Sequence, residues 1–325
     1  MISFLSKIAK KWSEILWDLW CVISIVGIWP RYIEPNLLRT TKLTLKITGL
    51  PKALQGFRIL QFSDLHHPYY TEKNGKKLQQ TIKEIAPDLI VFTGDFISYG
   101  KLDDADRLKR VLMPMEAPYG CFAILGNHDF SQCVSINDQG DYDIIERTGS
   151  VLSKGFKRLF TTTTLTKKIT ERARNLPMHD ELLKLIKDTP FQLLNNRTMQ
   201  VDVAGTRLNV CGLGEYMIGQ SLPDLAFKEY DKRYPGIILL HNPDGIPLLK
   251  GFPGDVVLCG HTHGGQINLP LIWKKFTVME NISLKKGLHK VDNKWAYVNR
   301  GVGGVFKFRW FSAPELLVLT LEADI

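Results

Sequence analysis

Five times along this chain a short, apolar, partly β-branched run stops at a residue able to bind a metal. Residues 57–62 lead into Ser63-Asp64-Leu65-His66, 89–92 into Thr93-Gly94-Asp95, and 122–125 into Gly126-Asn127-His128-Asp129. Farther on, 237–240 lead into His241-Asn242 and 256–259 into Gly260-His261-Thr262-His263. Runs of this length bounded by turn residues read as buried strands, and 44–47, 208–211 and 316–321 read the same way. Helical periodicity over 76–86 and 103–113 lies between them, so the pattern is α/β. In open α/β sheets ligands bind beyond the carboxyl ends of the strands. Residues from five separated segments are therefore expected to meet on one rim.

Within Asp64-Leu65-His66 and His261-Thr262-His263 the donors stand two residues apart, which puts both on one side of extended backbone. Taken alone, each motif is as readily a turn or a cap; five in succession point to a metal centre. No cysteine belongs to any of them. Oxygen and imidazole donors suit Mn²⁺, Fe or Zn²⁺ in octahedral-type coordination rather than a thiolate zinc site.

D-x-H, G-D, G-N-H-D, H and G-H-x-H in this order resemble the calcineurin-like metallophosphoesterase superfamily, over roughly 57–322. The resemblance implies a four-layer α/β/β/α sandwich and two divalent metal ions, Mn²⁺ foremost with Fe or Zn²⁺ as alternatives. It further implies that Asp64, His66 and His263 hold one ion, that Asn127, His241 and His261 hold the other, and that Asp95 bridges both. That set leaves His128 free to protonate the leaving group or to stabilise the developing charge, with Asp129 orienting it; the bland alternative is a turn histidine bonded to backbone. His67 and Pro68 depart from the commoner form of the first motif, which carries a small residue after D-x-H. His179 and His289 fall outside the motifs and read as surface histidines.

Asn299-Arg300-Gly301-Val302-Gly303, Arg309 and Pro314-Glu315 resemble the bacterial membrane-associated branch of the superfamily, in particular the UDP-2,3-diacylglucosamine pyrophosphatases of lipid A biosynthesis. That implies hydrolysis of a lipid-linked nucleotide sugar to 2,3-diacylglucosamine 1-phosphate and UMP, with Arg309 as a substrate contact. Two other readings remain: a phosphodiesterase or phosphatase of a soluble substrate, and a catalytically silent adaptor, which would lack one or more of the seven donors.

The first thirty residues differ from the rest. Leu5, Ile8, Trp12, Ile15, Leu16, Leu19 and Ile23 recur at helical spacing opposite Lys7, Lys11, Glu14 and Asp18, an amphipathic pattern. Four of the seven tryptophans fall here, the residue type enriched at membrane headgroups. The uninterrupted apolar part, 19–29, spans about 16 Å against a hydrocarbon core of roughly 30 Å, and Pro30 with Arg31 is expected to end the helix. An in-plane anchor is favoured over a signal anchor or a helix packed on the domain, and no small-residue cleavage site follows. The chain divides into an anchor with connector over 1–41 and a catalytic domain over 42–325, with an insertion at about 131–177.

Between Val151 and Asp180 seven Lys or Arg stand against two acids. That insertion is either a solvated loop or a lid whose Phe156, Leu159 and Phe160 shelter acyl chains. Phe306-Lys307-Phe308-Arg309-Trp310-Phe311 reads as an edge strand or as a lip at an interface. A net charge of +9 favours polyanionic partners; an anionic membrane surface fits the anchor, whereas nucleic acid lacks a further aromatic-basic platform. Nothing in the sequence sets an oligomeric state. Five cysteines without a CxxC pair agree with a reducing compartment, hence a peripheral place on the cytoplasmic face of the bacterial inner membrane.

Overall fold

The computed structural model describes residues 2–68, 70–146, 160, 163–270 and 273–324. Two six-stranded sheets form face to face among them. The first has the order β1 (Arg39–Ile47), β14 (Glu315–Ala323), β2 (Arg58–Phe62), β3 (Leu89–Thr93), β4 (Cys121–Ile124) and β7 (Phe191–Leu193). The second runs β12 (Gly287–Val291), β13 (Lys294–Val298), β11 (Val256–Cys259), β10 (Gly236–Leu239), β9 (Thr206–Gly212) and β8 (Arg197–Val203). Strands β2, β3, β4 and β7 are parallel to one another, as are β9, β10, β11 and β13, so their carboxyl ends share one rim.

Alternating residues explain the layers. Ile59, Leu89, Val91, Phe122 and Ile124 of the first sheet meet Val210, Ile237, Leu239, Val256 and Leu258 of the second in one buried cluster. Leu60, Phe62, Ile90 and Phe92 point the other way, onto α2 (Glu72–Ile85), α3 (Ala105–Leu112) and α5 (Asp180–Lys187), where Leu78, Ile82, Leu108, Leu112, Leu182 and Ile186 await them. Each such side chain contributes roughly 1.5–3 kcal/mol by leaving water. The outer face of the second sheet, with Cys211, Ile238, Val257 and Cys259, is covered by Phe227, Tyr230, Ile246, Leu249 and Leu284. These lie on or beside short turns such as Pro243–Leu249 and Ile282–Lys285. The sandwich is α/β/β/α, with a fourth layer built of single helical turns.

The N-terminus departs from expectation. Helix α1 (Ile2–Ile23) does not stop at Pro30 but widens into a π-helical stretch, Ser24–Ile33, with the Glu34 N–H reaching back five residues to Trp29 O. A wider turn is one of the ways a helix accommodates proline. The helical segment Lys11–Asn36 is long and apolar enough to cross a membrane by length and composition, 26 residues or roughly 39 Å at the α-helical rise. The expectation that the helix ends at Pro30 is therefore corrected, while Glu14 and Asp18 lie within the longer segment. Strand β1 also begins at Arg39, inside the stretch assigned to the connector.

Both ends of the insertion belong to the core. Strands β5 (Val134–Ile136) and β6 (Tyr142–Ile144) form a hairpin, α4 (Glu171–Arg174) follows at the other end, and Val134, Tyr142, Ala173 and Leu176 are buried with the helical layer. Tyr142 and Tyr216 hydroxyls donate to Glu280 Oε1 at 2.8 and 2.9 Å, and Lys167 Nζ pairs with Glu280 Oε2 at 2.8 Å. A free solvated loop over the whole of 131–177 is thus excluded at its roots. Phe156 and Leu159 lie outside the described residues; Phe160 is exposed.

Candidate metal centre

Each motif turns sharply as it leaves its strand. Asp64, His66, Asp95, His261 and His263 all have positive φ, between 49 and 68°. Non-glycine residues adopt this conformation at a cost of order 1–3 kcal/mol, and it clusters at functional sites. The turns are held by backbone bonds between motifs, Asp64 N–H to Gly94 O at 2.9 Å and His66 N–H to Asp95 O at 3.1 Å. Glycine precedes several donors because the site is crowded. A Cβ on Gly94, itself at φ +92°, would stand 2.6 Å from His241 Nδ1, and one on Gly126 would strike the Asp95 carboxylate.

The seven donors expected from the sequence come together, six of them buried and His261 half-buried. Asp95 Oδ2 lies 3.4 Å from His66 Nε2 and 3.3 Å from His241 Nε2. On one side His66 Nε2 stands 3.0 Å from His263 Nε2, with Asp64 Oδ1 3.6 Å from the latter. On the other, Asn127 Oδ1 is 3.1 Å from His241 Nε2 and 2.9 Å from His261 Nδ1. Two donor groups share Asp95.

The far sides of these side chains show that the donor set fits a cation. His241 Nδ1 faces Thr93 O at 2.6 Å and His66 Nδ1 faces Ile97 O at 3.2 Å. A carbonyl only accepts, so both rings donate outward and present Nε2 to Asp95. Burial opposes a charge on His241, but the facing Asp95 outweighs it and holds the imidazole charged well above its ordinary range, with the second proton on Nε2 where a cation would replace it. Asn127 likewise donates Nδ2–H to Val134 O at 2.7 Å and turns its oxygen inward. Lone pairs facing lone pairs in a buried space need a positive charge between them, and outward donation to backbone is how metal-binding histidines are oriented. His263 differs, since the Arg309 guanidinium approaches its Nδ1 at 3.3 Å. A guanidinium only donates, so the neutral ring carries its proton on Nε2, directed at His66; a cation in that half displaces this proton.

Burial pushes the Asp64 carboxyl up to about 7 and the His66 and His261 imidazoles down to about 3. For Asp95 burial acts upward too, but the facing imidazoles of His241, His128 and His66 outweigh it and hold the carboxyl well below its ordinary range. Asp95 is the anionic centre of the cluster.

Two expectations are corrected. Asp129 does not orient His128: its Oδ2 accepts Asp95 N–H at 2.8 Å and Gly126 N–H at 2.9 Å, and its Oδ1 accepts Ile97 N–H at 3.1 Å. The strained turn after Asp95 exposes these donors, and the carboxylate is spent on them. His128 is held instead by Tyr99 N–H on Nδ1 at 2.9 Å, with Nε2 3.5 Å from Cys133 Sγ. Arg309 is no open substrate contact. It is 1% exposed and donates to the carbonyls of Arg300 at 2.8 Å, Ser312 at 2.9 Å and Gly301 at 3.1 Å, and also to Gly303 O. A buried guanidinium needs such partners, and these leave little of it for a ligand. His67 is buried outside the donor cluster with its N–H on Phe96 O, His179 caps α5, and His289 bonds Lys286 O.

Sequence reasoning missed Glu34 and Ser312. Glu34 accepts Ser312 N–H at 2.6 Å and Phe311 N–H at 3.0 Å, while Ser312 Oγ–H donates to His263 O at 2.6 Å. A lone acid between Ile33 and Pro35 in an otherwise apolar stretch was the available signal.

Residues 57–265 match the calcineurin-like phosphoesterase family. The chain belongs to the calcineurin-like phosphoesterases. Among its relatives are the UDP-2,3-diacylglucosamine pyrophosphatases LpxG of Chlamydia muridarum, 38% identical over 91% of this chain and 92% of that one, and of Chlamydia trachomatis serovar D, 38% identical with the same coverage. The phosphodiesterase YaeI of Escherichia coli K12 is 25% identical over 82% of each. This phosphoesterase is thus a hydrolase of a family that works with divalent metals, and its described residues contain three groups able to hold one: Asp64 with His66 and His263; His66 with Asp95 and His128; and Asp95 with His241 and His261.

Proposed function

We propose that this phosphoesterase hydrolyses the pyrophosphate of a lipid-linked nucleotide sugar, UDP-2,3-diacylglucosamine, to 2,3-diacylglucosamine 1-phosphate and UMP. The observation that carries this reading is 38% identity across nine-tenths of the chain to proteins named for that activity. Support comes from the apolar helix, whose end at Glu34 is two hydrogen bonds from His263. A substrate with acyl chains in a bilayer and phosphates above it needs such an adjacency.

In this reading Asp64, His66 and His263 hold one divalent ion, Asn127, His241 and His261 the second, and Asp95 lies between them. The two ions, Mn²⁺ foremost, supply Lewis-acid stabilisation of the phosphoryl oxygens when bound. The chain's own residues do the rest. Outward bonds to Thr93, Ile97 and Val134 carbonyls fix His241, His66 and Asn127. His128, whose Nδ1 accepts Tyr99 N–H, keeps its proton on Nε2 and offers it as a hydrogen bond to the charge developing on the leaving phosphate. The lid residues Phe156, Leu159 and Phe160 contact acyl chains, and the protein sits on the cytoplasmic face of the membrane. An anchor with connector over 1–41 precedes a catalytic domain over 42–325, and β1, from Arg39, links the two.

One alternative is a phosphodiesterase of a soluble substrate; the Escherichia coli relative is named a phosphodiesterase. Purified full-length chain with Mn²⁺, offered UDP-2,3-diacylglucosamine in detergent, a water-soluble aryl phosphodiester and free nucleotides, separates the two. UMP release from the lipid far faster than cleavage of the others is expected. Equal rates on the soluble diester, or an intact lipid, overturn the lipid reading.

A further inference from the structure

Beside the end of the N-terminal helix the segment 306–311 presents a cluster of aromatic rings. Phe306, Phe308 and Trp310 are half-buried, Phe311 is 54% exposed, and exposed Lys307 stands among them. The rings pack on one another: Trp310 and Phe311 stack at 15° with centroids 6.4 Å apart, and Phe308 meets Trp310 edge-on at 6.1 Å. Phe311 has φ 55°, a left-handed conformation costly for a phenylalanine, which the surrounding bonds impose. Glu34 takes the N–H groups of Phe311 and Ser312 from the helix side, and Pro30 O takes Arg309 N–H at 2.7 Å. From the opposite side Gln266 Nε2 donates to Phe308 O at 3.0 Å, and Gln266 O accepts Trp310 N–H at 2.9 Å. The loop is clamped between the helix and the turn that follows His263.

Several large apolar side chains at this end of the helix are also uncovered, among them Trp29, Tyr32, Ile33 and Leu37, each 37–58% exposed. Trp29 is joined to the clamp through its Nε1–H on Glu34 at 2.9 Å. A shallow cleft lined by Pro35, Tyr70, Phe306 and Phe308 lies between helix end and loop. Exposed aromatics with a polar or cationic neighbour belong at the headgroup level of a bilayer, where ring bodies are buried and cations face phosphates.

We infer that 306–311 is a second membrane contact, an aromatic wedge that enters the headgroup region of an anionic phospholipid surface beside the helix and fixes the catalytic rim against the bilayer. This rests on the reading of the N-terminal helix as a membrane anchor. Continuity with that helix selects lipid as the occupant, because the residues clamping the loop are the residues ending the helix. Lys307 on the loop and Arg31 at the helix end supply the cations.

The test uses the full chain in vesicles of phosphatidylcholine and phosphatidylglycerol. In a Cys21→Ser background, Phe311→Cys carries a polarity-sensitive fluorophore; Asp202→Cys, next to the β8–β9 turn at the amino ends of the strands, carries it as control. The other four cysteines are buried. Lipids brominated near the glycerol should quench the 311 label at least about twofold more than the 202 label and shift its emission to the blue, as interfacial burial requires. Bound chain with equal quenching at both sites removes the wedge and leaves the anchor standing. Chain that does not co-float with vesicles removes both. Should Phe311→Cys misfold, a Lys307→Cys label replaces it, read in the same way.

Discussion

Asp95 is the residue on which both halves of the donor cluster depend, since its Oδ2 lies within 3.4 Å of imidazoles from each. Asp95→Ala should abolish turnover and lower the content of both metals together, measured by metal analysis alongside rate. A variant with a full metal complement and a near-normal rate would exclude the shared role. His128 and Asp129 are adjacent in sequence but part company in outcome. His128→Ala should keep both metals and lose rate by about 10² to 10³, the range for losing a positioned donor to developing charge. Asp129→Ala strands three buried N–H groups and should destabilise the fold by about 3 kcal/mol or more in denaturant titration, losing metal as well. The donors were legible because residue type and place after a strand are enough to nominate them. Asp129 was misread because a carboxylate's partners depend on which backbone N–H groups a left-handed turn turns inward. Arg309 was misread because arginine is expected at the surface, and only the folded chain shows the carbonyls that surround it.

At the scale of elements, the sequence displays those that are apolar throughout. All eight runs read as strands are strands, with ends shifted by a few residues. Strands β8 and β12, at sheet edges, mix exposed positions with buried or half-buried ones and carry polar residues, so no run marks them. The hairpin β5–β6 was hidden in the same way, although its Val134 carbonyl orients Asn127. Its root is fastened by Glu280. Burial raises the Glu280 carboxyl, but Lys167, Tyr142 and Tyr216 outweigh it and leave it below its ordinary value. A lowered carboxyl contributes stability that is present above the unfolded value, about 4.3, and lost as pH falls through the folded one. Glu280→Gln should therefore melt lower than the parent at neutral pH, with the gap closing in acid. A gap independent of pH would assign the effect to packing alone.

The whole molecule joins a basic catalytic sandwich to an apolar helix at the rim where the donors meet. If the helix is embedded by its apolar residues, 1 M salt should leave the chain in the membrane pellet, because hydrophobic burial is not screened as surface charge is. Release by salt would reduce the attachment to electrostatics between lysines and lipid. The length of the helix was illegible at Pro30, since the widened turn that carries it on depends on contacts from 309–312, nearly three hundred residues away.

The strand order of the first sheet also governs how the protein is made. Strand β14 lies between β1 and β2, and the loop bonding to the His263 turn precedes it in the chain. During synthesis at about 5 to 20 residues per second, the helix and β1 to β4 leave the ribosome on the order of ten seconds or more before that strand arrives. The nascent sheet waits with β1 unpaired, with the edge of β2 away from β3 open, and with Glu34 facing no Ser312. An mRNA cut short before codon 309 yields a chain that can still reach the membrane through its first helix, yet has no means of closing the sheet or setting the backbone of His263.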